Sequence, residues 1–141
     1  MIKEVALSCL NIPYLYGGKN PLTGMDCSGF VEWCLDSVGM SPPGVANAQA
    51  LFDWFMKENK AMGTLFEAGS ICFYGKSVTE ISHVSIMINE NQIIEAGGGD
   101  HTTISLAEAQ RRGACVRIRP INHRKDVVMI IYPKYPDWVK P

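Results

Sequence analysis

The sequence Asp26-Cys27-Ser28-Gly29-Phe30-Val31 begins a segment whose apolar residues recur with helical periodicity as far as Val38. Gly39 follows and is a typical helix terminator, so a helix is predicted from about residue 26 to residue 38. Cys27 would then lie at the positive end of the helix dipole, where unpaired amide groups favour a thiolate. Position alone leaves two interpretations open, a reactive nucleophile or a small buried hydrophobic side chain.

Working outward, helical spacing predicts two further long helices, and a capping box predicts a short one that ends at Gly113. These helices cover residues 2–10, 49–59 and 105–112. After Gly63 the pattern changes to that of strands. Strands are predicted at 71–74, 83–88, 92–96, 115–119 and 127–132, and the tail, 133–141, is predicted as loop. Helices followed by strands indicate an α+β domain, with helices packed on a central antiparallel sheet.

Length and charge exclude several classes of protein. The 141 residues predict a single domain over 1–141. Thirteen basic and fourteen acidic residues give a net charge of -1, which argues against a nucleic-acid partner. The short basic runs at 111–112, 117–119 and 123–125 are interpreted as solvated surface. We expect no membrane span and no signal peptide, and hence synthesis in the cytoplasm.

The cysteines and histidines predict neither a disulfide framework nor a metal site. Five cysteines without a CxxC pair indicate a mostly reduced chain. The histidines lack the HExxH spacing of a zinc enzyme, and Gly97-Gly98-Gly99-Asp100 lacks the pattern of a nucleotide-binding loop. We therefore expect no metal and no cofactor. The oligomeric state is left open.

A cysteine nucleophile needs a base, and the base needs an orienting partner. His83 begins a predicted strand and is well placed to meet a thiol at a helix start. His101 lies in a glycine-bearing loop, and His123 lies in a charged turn where a solvated side chain is expected. Glu95 lies on the next strand, and a hairpin centred on residue 89 would place it beside His83, where a carboxylate fixes the imidazole tautomer. An outward-facing Glu95 is the alternative.

Three stretches together resemble the NlpC family of papain-like cell-wall cysteine peptidases. The first is Pro13-Tyr14-Leu15-Tyr16-Gly17-Gly18 followed by the segment quoted at the start, Asp26 to Val31. The second is Gly69-Ser70-Ile71-Cys72-Phe73-Tyr74. The third is Ser82-His83-Val84-Ser85-Ile86-Met87-Ile88 followed by Gln92-Ile93-Ile94-Glu95-Ala96. The resemblance covers about residues 1–96. It implies a papain-like α+β fold.

The resemblance also implies catalytic roles. Cys27 would be the nucleophile and His83 its general base. The third polar residue of the family lies 12 residues after the histidine, which is Glu95 here. Family members usually have His, Asn or Gln at that position, so the glutamate is a departure that should strengthen a thiolate–imidazolium pair. The choice between Glu95 and His101 as the third residue is left open.

The remaining site residues are implied by the same resemblance. Tyr14 matches a tyrosine whose hydroxyl lies near the oxyanion. Asp26, Ser28 and Ser82 match residues of the substrate pocket. Ser70 replaces the acidic residue that is usual in its motif, which puts a pocket role for that position in doubt.

The function implied is hydrolysis of an amide bond in peptidoglycan stem peptides, after D-glutamate, through a Cys27 thioester. Two alternatives remain open: a CHAP-like amidase or acyltransferase that uses the same cysteine and histidine, and a catalytically silent binding or assembly domain. The expected partner is a peptidoglycan peptide. The expected place of action is the cell wall, reached as part of a phage tail, as a lysis enzyme or as an exported effector.

Overall fold

The computed structural model describes residues 1–139. Over that range the chain forms helices and short strands first and longer strands later. The helices are α1 (Ile2–Leu7), α2 (Cys27–Ser37), α3 (Ala48–Lys57) and α4 (Leu106–Arg112). The strands are β1 (Lys19–Asn20), β2 (Gly24–Met25), β3 (Ala61–Gly63), β4 (Ile71–Gly75), β5 (Ile81–Met87), β6 (Gln92–Gly97), β7 (Cys115–Pro120) and β8 (Val127–Pro133). Short 3-10 turns span Ile121–His123 and Asp137–Val139.

One antiparallel sheet of six strands organises the described residues, in the order β3-β8-β4-β5-β6-β7. Helices α2 and α3 pack on β5, and β1 and β2 form a separate two-stranded ribbon. The predicted α+β architecture is confirmed, and all the predicted strands are present. The helix predicted from the Cys27 segment is α2.

The two faces of the sheet have different surroundings because successive side chains of a strand point to opposite sides. Phe73, Val84 and Ile86 belong to the main core, which the helices share. Tyr74 and Met87 belong to a smaller cluster on the opposite face, against which Ile121 packs. His83 has the same parity as Met87 on β5, so the strand directs it away from the main core.

The predicted hairpin of β5 and β6 is present, but each residue of β5 pairs two positions further along β6 than predicted. Ile86 pairs with Ile94 and Met87 pairs with Ile93, which centres the hairpin on residue 90 rather than 89. His83 and Glu95 are therefore not directly opposite. They share a face as diagonal neighbours, a spacing that long side chains can still bridge.

Three local predictions differ from the structure. The first helix ends at Leu7, because the chain turns to place the Asn11 amide on the Val116 carbonyl, and Asn11 adopts a φ of 73°. The short strands β1, β2 and β3 have no clear apolar alternation, and the sequence did not predict them. In the tail, predicted as loop, Asp137–Val139 form a 3-10 turn with Val139 buried, and residues 140–141 lie outside the described part.

Gly29 allows the closest approach at the start of α2. A Cβ there would overlap the carbonyl oxygen of Gly18 in the loop that precedes β1. We expect Gly29→Ala to lower the free energy of unfolding by about 3 kcal/mol, the upper range for an overpacked site. Denaturant unfolding measures this. Ser37→Ala, at an exposed position of the same helix, should change it by less than about 0.5 kcal/mol, and an equal effect of both substitutions would contradict the prediction.

Candidate active site

Cys27 is the first residue of α2, and Asp26 is the residue that caps this helix. One carboxylate oxygen of Asp26 accepts the amide of Gly29 at 2.8 Å and the hydroxyl of Ser28 at 3.4 Å. The other accepts the amide of Gly17 at 2.9 Å, which ties the preceding loop to the helix start. Capping of this kind fixes the direction in which the first helical side chain leaves the backbone. Cys27 is thereby held against the sheet, with the Val84 amide close to its sulfur.

The electrostatic environment of Cys27 is opposite to the one predicted from the helix dipole. Burial, and then the neighbouring Asp26 carboxylate, raise the pKa of Cys27 to about 12. Hydrogen bonds from the backbone amides of Val84 and Ser28 act in the other direction but do not offset this. The helix start does not favour a thiolate here, because burial of the sulfur, more than the capping carboxylate, disfavours its charged form. A base must therefore remove the thiol proton before the sulfur can attack.

His83 and Glu95 form a buried hydrogen bond. Nε2 of His83 lies 2.8 Å from Oε1 of Glu95, and the two residues are 8% and 1% exposed. An ionised carboxylate only accepts, so Nε2 carries the proton and Nδ1 is the ring atom left to serve as a base. The inward-facing interpretation of Glu95 is confirmed, and the outward-facing alternative is wrong. His101 lies exposed in the loop after β6.

Glu95 is surrounded by basic side chains that were expected to be solvated. Arg117 lies opposite it on β7 and donates Nε–H to Oε2 at 3.0 Å. Nε2 of His123 lies 3.2 Å from Oε1, so the expectation of a merely solvated His123 was wrong. Burial opposes ionisation of Glu95, but the hydrogen bond and charge of His83, the charge of His123 and the Arg117 hydrogen bond together lower its pKa to about 2.

The contact of Arg117 with Glu95 could have been predicted from the sequence, but the contact of His123 with Glu95 could not. Arg117 alternates with apolar residues on a strand, and its charge is opposite to that of Glu95, a combination typical of a cross-strand pair. No such signal exists for His123, because the 3-10 turn that brings it back over the sheet has no distinctive pattern. Arg124, in the same segment, forms a two-pronged ion pair with Asp126 and lies over the Tyr74 ring.

The candidate catalytic side chains line one cleft of about 520 Å³. Cys27 lies on its wall with His83 and Glu95, and Tyr14 and Ser82 also contribute to it. The rest of the lining comes from the loop after β6 and from the cationic residues beside Glu95: Tyr16, Ala96, Gly97, Gly98, Gly99, Asp100, His101, Arg117, His123 and Arg124. The cleft is large enough for a peptide segment and contains the groups that acyl transfer requires.

Tyr14 lies at the edge of this cleft and is largely buried. Burial first, and then a charge on Cys27, raise its pKa well above the ordinary value. The hydroxyl therefore stays protonated and remains a hydrogen-bond donor. The phenol ring packs against Gly99, where a Cβ would overlap it, so the glycine run after β6 serves packing at the cleft.

The residues predicted to bind substrate occupy different environments. Ser82 lies exposed on the cleft wall. The Asp26 and Ser28 side chains are buried, and the Asp26 carboxylate is occupied by the hydrogen bonds that fix the loop and the helix. Contact of these three residues with substrate stays a prediction. Ser70 is buried and donates its hydroxyl to the Leu65 carbonyl.

Among residues 1–139, no group of three or more His, Cys, Asp or Glu side chains has the arrangement of a metal site. The fold and the cleft together define a papain-like domain with a cysteine, an imidazole and a carboxylate on one wall. The family model for the NlpC/P60 family matches residues 11–118. The chain belongs to the NlpC/P60 family, as its sequence motifs predicted.

Curated relatives agree with this assignment. The chain is 31% identical over 97 residues to the bifunctional muramidase/DL-endopeptidase CwlT of Bacillus subtilis, a match that covers 67% of this chain and 28% of that protein. It is 30% identical over 105 residues to the gamma-DL-glutamyl hydrolase of the same species, covering 74% of this chain and 24% of that protein. The matches thus span about a quarter of the length of each relative.

Solved structures show the same fold. An NLP/P60 family protein of Staphylococcus aureus, described as similar to lipoprotein, superposes with a TM-score of 0.69 at 22% identity, over 96% of this chain and 41% of that one. The NlpC/p60 domain of the peptidoglycan hydrolase SagA superposes with a TM-score of 0.64 at 22% identity, over 93% and 94% of the two chains. The papain-like fold prediction is therefore confirmed.

Proposed function

We propose that this chain is a cysteine peptidase that hydrolyses an amide bond in peptidoglycan stem peptides. One observation carries the proposal: the Cys27 thiol lies in the same cleft as a His83 imidazole that is held by a buried carboxylate. A silent binding domain has no need of a cysteine at a helix start beside an oriented imidazole. The membership of the NlpC/P60 family supports the same activity.

In the proposed mechanism, Nδ1 of His83 removes the thiol proton of Cys27 as the sulfur attacks the substrate carbonyl. Negative charge develops on the carbonyl oxygen, and the Tyr14 hydroxyl and the backbone amide of Cys27 are the donors proposed to stabilise it. When the intermediate collapses, the C–N bond breaks, and His83 gives its proton to the departing amine. A water molecule, deprotonated by His83, then attacks the thioester carbonyl. The C–S bond breaks, the acid is released, and His83 returns the proton to the Cys27 sulfur.

Glu95 keeps the imidazole in place through both halves of this cycle. Because its oxygen holds the Nε2 proton, the ring cannot turn its protonated nitrogen toward the sulfur. The proton that His83 shuttles is therefore the one on Nδ1. The negative charge of Glu95 also stabilises the transient imidazolium.

We further propose that the scissile bond follows D-glutamate. The names of both curated relatives refer to DL bonds, and one refers to glutamyl hydrolysis. The cleft wall carries both basic and acidic side chains, and Arg117, His123 and Arg124 already lie against the carboxylates of Glu95 and Asp126, so the proposal rests on these names. The proposed place of action is the cell wall, where this substrate occurs. None of the helices in the described part of the chain is long and apolar enough to cross a membrane.

Digestion of purified peptidoglycan, followed by mass spectrometry of the released peptides, tests this proposal. We expect fragments cut after D-glutamate, and no release by enzyme whose Cys27 has been alkylated. Two outcomes would revise the proposal. Fragments cut at the amide that joins the glycan to the peptide would indicate the amidase alternative. Intact peptidoglycan after treatment with folded, unmodified protein would favour a binding domain.

A further inference from the structure

His123 is held between two hydrogen-bond acceptors. Its Nδ1 lies 3.1 Å from the Pro120 carbonyl oxygen, and its Nε2 lies 3.2 Å from Oε1 of Glu95. The Pro120 contact has the geometry of a hydrogen bond, and the Glu95 contact is at ion-pair distance. A carbonyl and a carboxylate are both acceptors, so a positive charge on the His123 ring suits both neighbours.

The same carboxylate oxygen serves both histidines. Oε1 of Glu95 is 2.8 Å from Nε2 of His83 and 3.2 Å from Nε2 of His123, while Oε2 accepts from Arg117. Glu95 thus contacts Arg117 and His123 on one side and the candidate catalytic imidazole of His83 on the other. The family resemblance implies a neutral residue at this position, and here the charge of a glutamate is compensated by its neighbours.

We propose that His123, together with Arg117, is a positioning residue that compensates the charge of Glu95 and thereby sets the pH range in which Cys27 and His83 exchange a proton. This inference rests on the proposed cysteine peptidase function. It explains how the site accommodates a glutamate at position 95, where family members usually have His, Asn or Gln. A carboxylate alone stabilises an imidazolium at His83 more than a neutral orienting residue would. The compensating charges restore a balance closer to that of a neutral orienting residue.

Charged and titratable groups face the two histidines from several elements. The groups near His83 are Cys27 on α2, Tyr74 on β4, Glu95 on β6, Arg117 on β7, His123 in the 3-10 turn and Asp126 before β8. The groups near His123 are Glu95, Tyr74, Arg117 and Arg124. All the other groups remain in place when His123 is substituted. The change that His123→Gln makes in this environment is the loss of the charge on that ring.

Removal of a positive charge makes proton loss harder at both Cys27 and His83. We therefore expect His123→Gln to move the pH profile of Cys27 reactivity upward by about 0.5–1 pH unit. Glu95→Gln should move it downward for the opposite reason. The double variant Glu95→Gln/His123→Gln loses one charge of each sign, so its profile should return to within about 0.3 unit of the wild-type midpoint.

The measurement is the rate of Cys27 alkylation by iodoacetamide between about pH 5 and pH 10, which requires no knowledge of the substrate. Because the pKa of Cys27 is raised to about 12, the rate reaches no plateau in this range, and the midpoint is taken as the pH at which the rate reaches one fixed value for all variants. Peptide mapping identifies the modified cysteine. Lys125→Gln is the matched control, because it removes an exposed positive charge from the same segment. It should leave the midpoint unchanged. A His123→Gln variant that reacts more slowly at an unchanged midpoint would show a merely structural role and overturn the inference.

A measurement on the unmutated protein covers the case in which His123→Gln does not fold. The ring nitrogens of the histidines can be followed by long-range 1H–15N correlation spectra, with His101→Gln for assignment. We expect both nitrogens of His123 to be protonated in the folded protein while Glu95 is ionised. A neutral tautomer there would overturn the inference. Failure of the proposed function has a different signature: Cys27 alkylation that His83→Ala does not change.

Discussion

Cys27→Ala is expected to abolish peptidoglycan hydrolysis, with a loss on the order of 10⁴-fold or more in kcat/KM, because the substituted protein has no atom that can form the thioester. The fold should survive. Cys27 is only half-buried, and the cap that fixes the helix start belongs to Asp26. Release of soluble peptides from purified peptidoglycan measures the loss, and thermal unfolding verifies that the variant is folded.

Cys115→Ala is the matched control for this substitution. Cys115 is also half-buried, but it lies at the start of β7 and lines a different depression, although its backbone pairs with Gly97 of the cleft. It should keep at least about half of the activity. Cys9 gives a second comparison within the wild-type protein. A hydrogen bond from Cys34 lowers the pKa of this buried cysteine to about 7, so its alkylation rate can be compared with that of Cys27. Residual hydrolysis by Cys27→Ala above about 1% would contradict the assignment of the nucleophile.

Glu95→Ala is expected to lower kcat/KM by about 10²–10³-fold, since the imidazole loses the acceptor that fixes its tautomer and orientation. The same substitution leaves Arg117 and His123 without their buried partner. We therefore also expect a loss of about 3 kcal/mol in the free energy of unfolding at pH 7. Denaturant unfolding and peptide-release assays on the same preparations separate the two effects.

The stability effect has a pH dependence whose sign follows from the lowered pKa. The folded-state pKa of Glu95 is about 2, below its ordinary value of 4.5. A carboxyl with a lowered pKa contributes stability that is fully present above about pH 4.5 and is lost as the pH falls toward 2. The difference in unfolding free energy between wild type and Glu95→Gln should thus narrow below about pH 4.5. A difference that stays constant from pH 7 to pH 3 would contradict the ionised, stabilising carboxylate.

Glu108→Gln is the matched control, because Glu108 pairs with arginines at the surface of α4, where ion pairs contribute little.

The sequence by itself determined whether each main element is a helix or a strand. It also determined which elements carry the candidate catalytic residues Cys27 and His83. The spacing of Phe30, Cys34 and Leu35 requires one buried helical face, so α2 follows from local periodicity. The alternation around Val116 and Ile118 does the same for β7. Cys27 at a helix start and His83 on a strand were visible because each belongs to a short motif. Such signals are local, and local physics is sufficient to produce them.

Only the tertiary structure decided the charge environment of the site. Each residue of β5 pairs two positions further along β6 than predicted, a shift that keeps every side chain on its face. The turn sets this register, because Asn89 Oδ1 accepts the amides of Asn91 and Gln92. Burial and the Asp26 carboxylate reversed the expected direction of the Cys27 pKa. The contact of His123 with Glu95 joins residues that are distant in sequence, through a turn without a recognisable pattern. Burial, desolvation and long-range ion pairs depend on what surrounds a group in space, and the sequence around that group does not encode it.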